Sequence, residues 1–123
     1  MTFSRDPKPV RADPVGDRDA RLDFKVAVLA TDGRCMAHDD PADCDGDFHA
    51  HHVVTQGQLR RAGRDDLRWD PRNGICVCEL AHRRHHRAIQ RIQFDRLPAR
   101  CVEFARENGF LHVLDRFYAG RPQ

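Results

Sequence analysis

The sequence predicts an α+β fold whose centre consists of a strand, a long loop, a second strand and a helix. Three observations lead to this prediction. The segment FHAHHVV (48–54) ends in β-branched residues and is typical of a strand. ICVC (75–78) is too short for more than a second strand, and ELAHRRHHRAIQR (79–91) has the composition of a helix.

Helices are predicted on both sides of this centre. DARLDFKVAVLA (19–30) fits a helix capped by Asp19, although FKVAVLA alone is equally compatible with a strand. After Pro98, ARCVEFARENG has the pattern of an amphipathic helix that ends at Gly109. FLHVLDRFYAG (110–120) predicts one more short helix.

Length and composition indicate one domain with a modest core. The chain has 123 residues; residues 1–18, rich in Pro, Asp and Arg, are expected to form a disordered arm before a single domain over 19–119. No run is apolar enough to span a membrane and the first residues do not resemble a signal peptide, so a cytoplasmic location is expected. In that compartment, five cysteines point to metal binding or free thiols before disulfides.

Positive charge is concentrated in the middle of the chain. The net charge is only +2, but residues 59–100 hold eleven arginines against five acidic residues. Because arginine suits bidentate contact with phosphate, this bias favours a nucleic-acid partner. The alternative is an arginine-rich solvated surface.

Six of the eight histidines lie in two short runs, HAHH (49–52) and HRRHH (82–86). On a helix, His82 and His86 are one turn apart and point the same way, as two ligands of one ion must. His85 lies near the same face, so spacing alone does not choose between it and His86. The two runs together predict a metal site; the alternative is a helix that uses His and Arg as polar surface.

The pattern His51–His52, Asn73, His82 and His86 resembles the motif of the HNH endonuclease family. The flanking segments DGRC (32–35) and LPARCVEFARENG (97–109) resemble HNH proteins of bacteriophages. The resemblance covers about residues 20–119 and is strongest at 44–90. It implies a ββα-metal (His-Me finger) fold with its core at about 48–90, and a place in the host cytoplasm if the protein is phage-encoded.

The resemblance also implies a role for each residue. His51, His82 and His86 would bind a divalent metal (Zn, Ni, Mn or Mg), and His52 would activate water as the general base. Asn73 would brace the loop and hold His52 in position, or reach the metal. The expected activity is hydrolysis of phosphodiester bonds in DNA, which is expected to be double-stranded, with the metal stabilising the 3′ leaving oxygen.

Many HNH proteins carry a second, structural zinc, which the resemblance assigns to Cys35, Cys44 and Cys78. The fourth ligand should stand at position 81, where this sequence has alanine, which cannot bind a metal. Four residues could substitute for it: Cys76, His38, His49 or His85. The alternative is that the cysteines are small core residues and no zinc binds.

Arg83, Arg84 and Arg87 adjoin the proposed metal ligands, so they could contact DNA phosphates. Phage packaging or other DNA-processing proteins are possible partners. The rival function is a non-catalytic, zinc-bound DNA-binding module of the same fold. His52 separates the two, because such a module has no use for a free imidazole beside a metal.

Overall fold

The computed structural model describes residues 14–120, which form a two-stranded antiparallel sheet and five α-helices. In chain order these are α1 (Pro14–Asp32), β1 (Phe48–His52), α2 (Gln56–Arg61), β2 (Gly74–Cys78), α3 (Glu79–His86), α4 (Ala99–Asn108) and α5 (Leu111–Phe117). The predicted α+β class is therefore confirmed, and the two strands and the helix after them follow in the predicted order. The connection between the strands, predicted as a loop, contains α2. None of the helices in this part of the chain is both long and apolar enough to cross a membrane.

Helix α1 begins earlier than the sequence predicts. It starts at Pro14, five residues before the expected cap at Asp19, so residues 14–18 belong to the helix and not to a disordered arm. The rest of that arm, residues 1–13, lies outside the described residues. The Asp17 carboxylate accepts hydrogen bonds from the Arg68 guanidinium and the Trp69 indole, which ties the first turn to the loop before β2.

Neighbouring histidines of β1 lie on opposite faces of the sheet. Side chains alternate along a strand, so His49 and His51 face one side of β1 while His52 faces the other. The Phe24 ring of α1 stacks on His52, with centroids 4.4 Å apart. On the opposite side, His82 of α3 lies against His51 at 5.2 Å. The ribbon is therefore sandwiched between α1 and α3.

The core lies where the sheet meets the C-terminal helices. Its fully buried side chains come from the two residues after β1, from α2 and β2, and from α4 and α5: Val53, Val54, Leu59, Ile75, Val77, Phe104 and Leu114. Helix α4 ends as predicted, with Gly109 in the left-handed conformation at φ 81°. Tyr118, just after α5, is also buried.

Gly74 lets α1 approach the sheet closely. It pairs with His52 across the ribbon. A Cβ at this position would lie 2.5 Å from Val28 Cγ2 and 2.7 Å from the Phe24 ring. Both distances are too short for a side chain, so α1 could not pack here without glycine.

We expect Gly74→Ala to lower the free energy of unfolding by about 1–3 kcal/mol, because the added methyl group overpacks the contact with α1. Urea unfolding measures this. Gly57→Ala is the matched control: a Cβ there meets only ordinary contacts at 3.6 and 3.9 Å, so it should leave stability unchanged or slightly raise it. Equal unfolding midpoints for the two variants would contradict the expectation.

Candidate functional site

Three cysteines and one histidine meet at the end of β2. The Nδ1 atom of His38 lies 3.7 Å from the Cys35 sulfur, 3.4 Å from that of Cys44 and 3.7 Å from that of Cys78. Zinc–sulfur and zinc–nitrogen bonds of ordinary length at tetrahedral angles place the two kinds of ligand about 3.6 Å apart. This Cys3His group could therefore hold a metal such as zinc. It contains the three predicted cysteines, and of the four possible substitutes it contains His38.

Backbone geometry supports this arrangement of sulfurs. The Cys78 N–H donates to the Cys35 sulfur at 3.2 Å, and the Ala81 N–H donates to the Cys78 sulfur at 3.5 Å. Burial opposes ionisation of Cys78, but hydrogen bonds from the backbone of Ala81 and Asp45 lower the pKa of its thiol. Ala81, at the position where the family pattern has a ligand, thus supports the sulfur with its amide.

The remaining two cysteines lie outside this group. Cys76 and Cys101 are buried, and burial raises the pKa of Cys76 to about 11 and that of Cys101 to about 12. Both side chains therefore stay neutral thiols near neutral pH.

A second group joins β1 to α3. One ring nitrogen from each of His51, His82 and His86 lies within 4.8 Å of the others. His85 is not part of it: its Nδ1 accepts the Ile92 N–H at 2.9 Å. The geometry therefore places His86 with the other two predicted ligands and gives His85 a structural bond.

The three imidazoles of this group are neutral near neutral pH. Burial lowers the pKa of His51 well below its usual value, with further repulsion from neighbouring histidines. Burial also lowers the pKa of His82 to about 4 and reduces that of His86. Neutral imidazole is the form that offers a lone pair to a metal.

Tyr118 fixes which nitrogen of His51 carries the proton. The Tyr118 hydroxyl has one hydrogen, which it donates to the Val53 carbonyl at 2.8 Å. The same oxygen lies 2.8 Å from Nε2 of His51, so it must accept a hydrogen bond from the Nε2–H. The buried Nδ1 of His51 then carries an unprotonated lone pair, and it has no hydrogen-bond partner among residues 14–120. An unpaired lone pair in this position fits a metal ligand.

His49 contacts His82 much as Tyr118 contacts His51. The Nδ1 atoms of the two rings are 3.0 Å apart, and Nε2 of His82 is 3.0 Å from Nε2 of His86. When His82 presents its Nε2 lone pair toward His86, its Nδ1–H donates to His49. His49 thus supports a ligand in this arrangement instead of joining the Cys3His group.

His52 is held by one nitrogen only. Its Nε2–H donates to the Arg68 carbonyl at 2.8 Å, and no hydrogen bond within residues 14–120 engages its Nδ1. Burial lowers its pKa; the bond to the Arg68 carbonyl acts in the opposite direction, and the Arg68 cation lowers the pKa further. The ring is therefore neutral near neutral pH, with the Nδ1 lone pair available.

Asn73 braces the segment that follows β1. Its Oδ1 accepts the Val54 N–H and its Nδ2 donates to the Val54 carbonyl, both at 2.8 Å. Of the two predicted alternatives, this geometry matches bracing of the loop, because both ends of the amide are engaged by Val54.

An open cavity of about 560 Å³ is lined by residues of β1, α1 and α3. His52, His82 and His86 line it, and α1 contributes two cations, Arg21 and Lys25. No carboxylate of the described residues lines the cavity. It therefore suits an anionic ligand beside the histidine group.

The three arginines predicted to contact phosphate do not line this cavity. Arg83, Arg84 and Arg87 are exposed on other faces of α3 or just beyond its end. Arg83 lies 3.7 Å from Glu79, and Arg84 donates to Gln90 at 3.5 Å.

No protein-family model matches this chain, and no curated protein or solved structure is significantly similar to it.

We expect the purified protein to retain about one zinc. His38→Ala should lose this zinc and lower the melting temperature by about 10 °C or more, because metal binding contributes folding free energy in a small domain. Elemental analysis and calorimetry measure the two effects. His38→Cys, which restores a zinc ligand, should recover both. His112→Ala, at an exposed histidine of α5, is the control; an unchanged zinc content in His38→Ala would contradict the assignment.

We expect Tyr118→Phe to weaken divalent-metal binding at the histidine group about 10- to 100-fold, because the hydroxyl that fixes the His51 tautomer is lost. Titration calorimetry with Mn²⁺ or Ni²⁺ measures the affinity. Imidazole ¹H–¹⁵N correlation spectra, recorded before the ion is added, should show His51 losing its uniform Nε2–H form. Zinc at the Cys3His group should be unaffected. An unchanged affinity and tautomer would show that the hydroxyl has no such role.

Proposed function

We propose that the protein is a metal-dependent endonuclease of the HNH type that hydrolyses phosphodiester bonds in DNA, leaving 5′-phosphate and 3′-hydroxyl ends. One observation carries the proposal. His82 and His86 of the His51–His82–His86 group line the same cavity as His52, and this cavity bears cations and no described carboxylate. The resemblance to the HNH motif assigns catalytic roles to these residues.

His52 is proposed as the general base. The Arg68 carbonyl holds its Nε2–H, so Nδ1 can take a proton from water as the water oxygen attacks phosphorus. The bond from phosphorus to the 3′ oxygen then breaks, and that oxygen takes up a proton. The stacked Phe24 ring fixes the plane of the imidazole, and Asn73 holds the backbone that follows it.

His51, His82 and His86 would hold the catalytic ion. A divalent ion there supplies Lewis-acid assistance at the scissile phosphate and stabilises the leaving 3′ oxygen. Three imidazoles suit Zn²⁺, Ni²⁺ or Mn²⁺, whereas Mg²⁺ prefers oxygen ligands. Three protein ligands also leave a coordination position open, as catalytic sites require.

The Cys3His group is proposed as a structural zinc site. Four protein ligands close the coordination shell, which leaves no position for substrate. A non-catalytic DNA-binding module could use such a site alone. His52 lines the cavity, and its Nδ1 makes no hydrogen bond within the described fold; this favours the nuclease.

The experiment is cleavage of supercoiled plasmid with a panel of divalent metals. We expect His52→Ala to lower the cleavage rate about 10²- to 10⁴-fold, because proton transfer from water is lost. Metal affinity should stay within a few-fold of that of the unmodified protein, since His52 is outside the His51–His82–His86 group.

His112→Ala is the matched control, since this histidine is exposed and does not line the catalytic cavity; it should cut at the normal rate. Cleavage by His52→Ala at that same rate would show that the base is assigned wrongly. Binding of DNA without cleavage under any metal would favour the DNA-binding module.

A further inference from the structure

Helix α1 forms one wall of the cavity, and α3 forms another. Arg21 and Lys25 stand one helical turn apart on α1, and both line the cavity together with His82 and His86 of α3. Phe24, between them in sequence, lies under His52. The same helix therefore carries two cations and supports the proposed base.

Within the described part of the chain, both cations are free for a ligand. Arg21 and Lys25 are exposed, and neither makes an ion pair or side-chain hydrogen bond within residues 14–120. Asp17, one turn before Arg21, is the acid best placed to neutralise it. Its carboxylate is engaged by Arg68 and Trp69 instead, so no carboxylate of the described part of α1 pairs with either cation.

The arginines of α3 are placed differently. Arg83 has a carboxylate neighbour in Glu79, and Arg84 is bonded to Gln90. The helical turn that directs His82 and His86 into the cavity directs the residues between them elsewhere. The arginines of α3 are therefore close to the metal ligands in sequence but do not line the cavity.

We propose that Arg21 and Lys25 of α1, and not the arginines of α3, bind the DNA backbone phosphates on either side of the cleaved bond. This inference rests on the proposed nuclease function. The guanidinium can hold a phosphate with two parallel hydrogen bonds, and the ammonium adds a point charge. Because α1 also packs on His52 through Phe24, a phosphate held on α1 stands at a fixed distance from the base.

The test measures binding of a short labelled DNA duplex by fluorescence anisotropy over a range of salt. His52→Ala serves as the parent protein, so that the duplex is not cut. Arg21→Ala/Lys25→Ala is compared with Arg83→Ala/Arg87→Ala, which removes the same charge from exposed positions. Metal content and circular dichroism verify that both double variants are intact.

Losing two phosphate contacts should make the slope of log affinity against log salt less steep by about 1.8. When salt is raised from about 50 to about 200 mM, the fold-loss of affinity in the α1 variant should therefore be roughly ten times smaller than in the parent. Its affinity at the lower salt should also fall about tenfold or more. The Arg83/Arg87 variant should keep the parent's slope. An unchanged slope in the α1 variant, or an equal change in both variants, overturns the proposal.

Plasmid cleavage shows whether only the role of Arg21 and Lys25 is wrong or whether the proposed nuclease function is wrong as well. If the protein with His52 intact cuts plasmid, and Arg21→Ala/Lys25→Ala cuts with the same KM and kcat, only the role of α1 is wrong. If the unmodified protein neither binds duplex nor cuts plasmid, the nuclease proposal falls and this inference falls with it.

Discussion

The antiparallel pairing of β1 with β2 is the constraint on which both sides of the site depend. Its register sets His52 opposite Gly74, and the alternation of side chains sends His51 to α3 and His52 to α1. A slip of one residue would exchange the two imidazoles. The proposed ligand would then lie under Phe24, and the proposed base would lie among the histidines of α3. A doublet of histidines can serve two separate tasks only because the ribbon holds this register.

Much of the frame could be predicted from the sequence because its signals are local. The valines after HAHH, the glycine at 109 and the one-turn spacing of His82 and His86 each act within a few residues. The contacts that complete the site join remote segments. Tyr118 meets His51 from 67 positions away, and no local pattern marks it. The bond between Asp17 of α1 and Arg68 likewise joins residues 51 positions apart.

The position of His38 in the Cys3His group also could not be predicted from a local sequence pattern. It stands in an irregular segment between α1 and β1, where no periodicity indicates a direction for its side chain. The sequence could only name it among four substitutes for the missing ligand at Ala81. Folding of the loop brings its Nδ1 toward three sulfurs at once. Conversely, Arg83 and Arg87 are adjacent to proposed ligands in sequence but do not line the cavity.

Cys78 is the last residue of β2, a member of the Cys3His group and the N-cap of α3. The helix that presents His82 and His86 thus starts from the proposed zinc site. If both metal sites act as proposed, the chain cleaves DNA only when each of them holds an ion, whether zinc fills both or a second metal fills the histidine group. A cell that withholds zinc would then keep the chain from cutting its own genome, even where Mn²⁺ or Ni²⁺ is abundant.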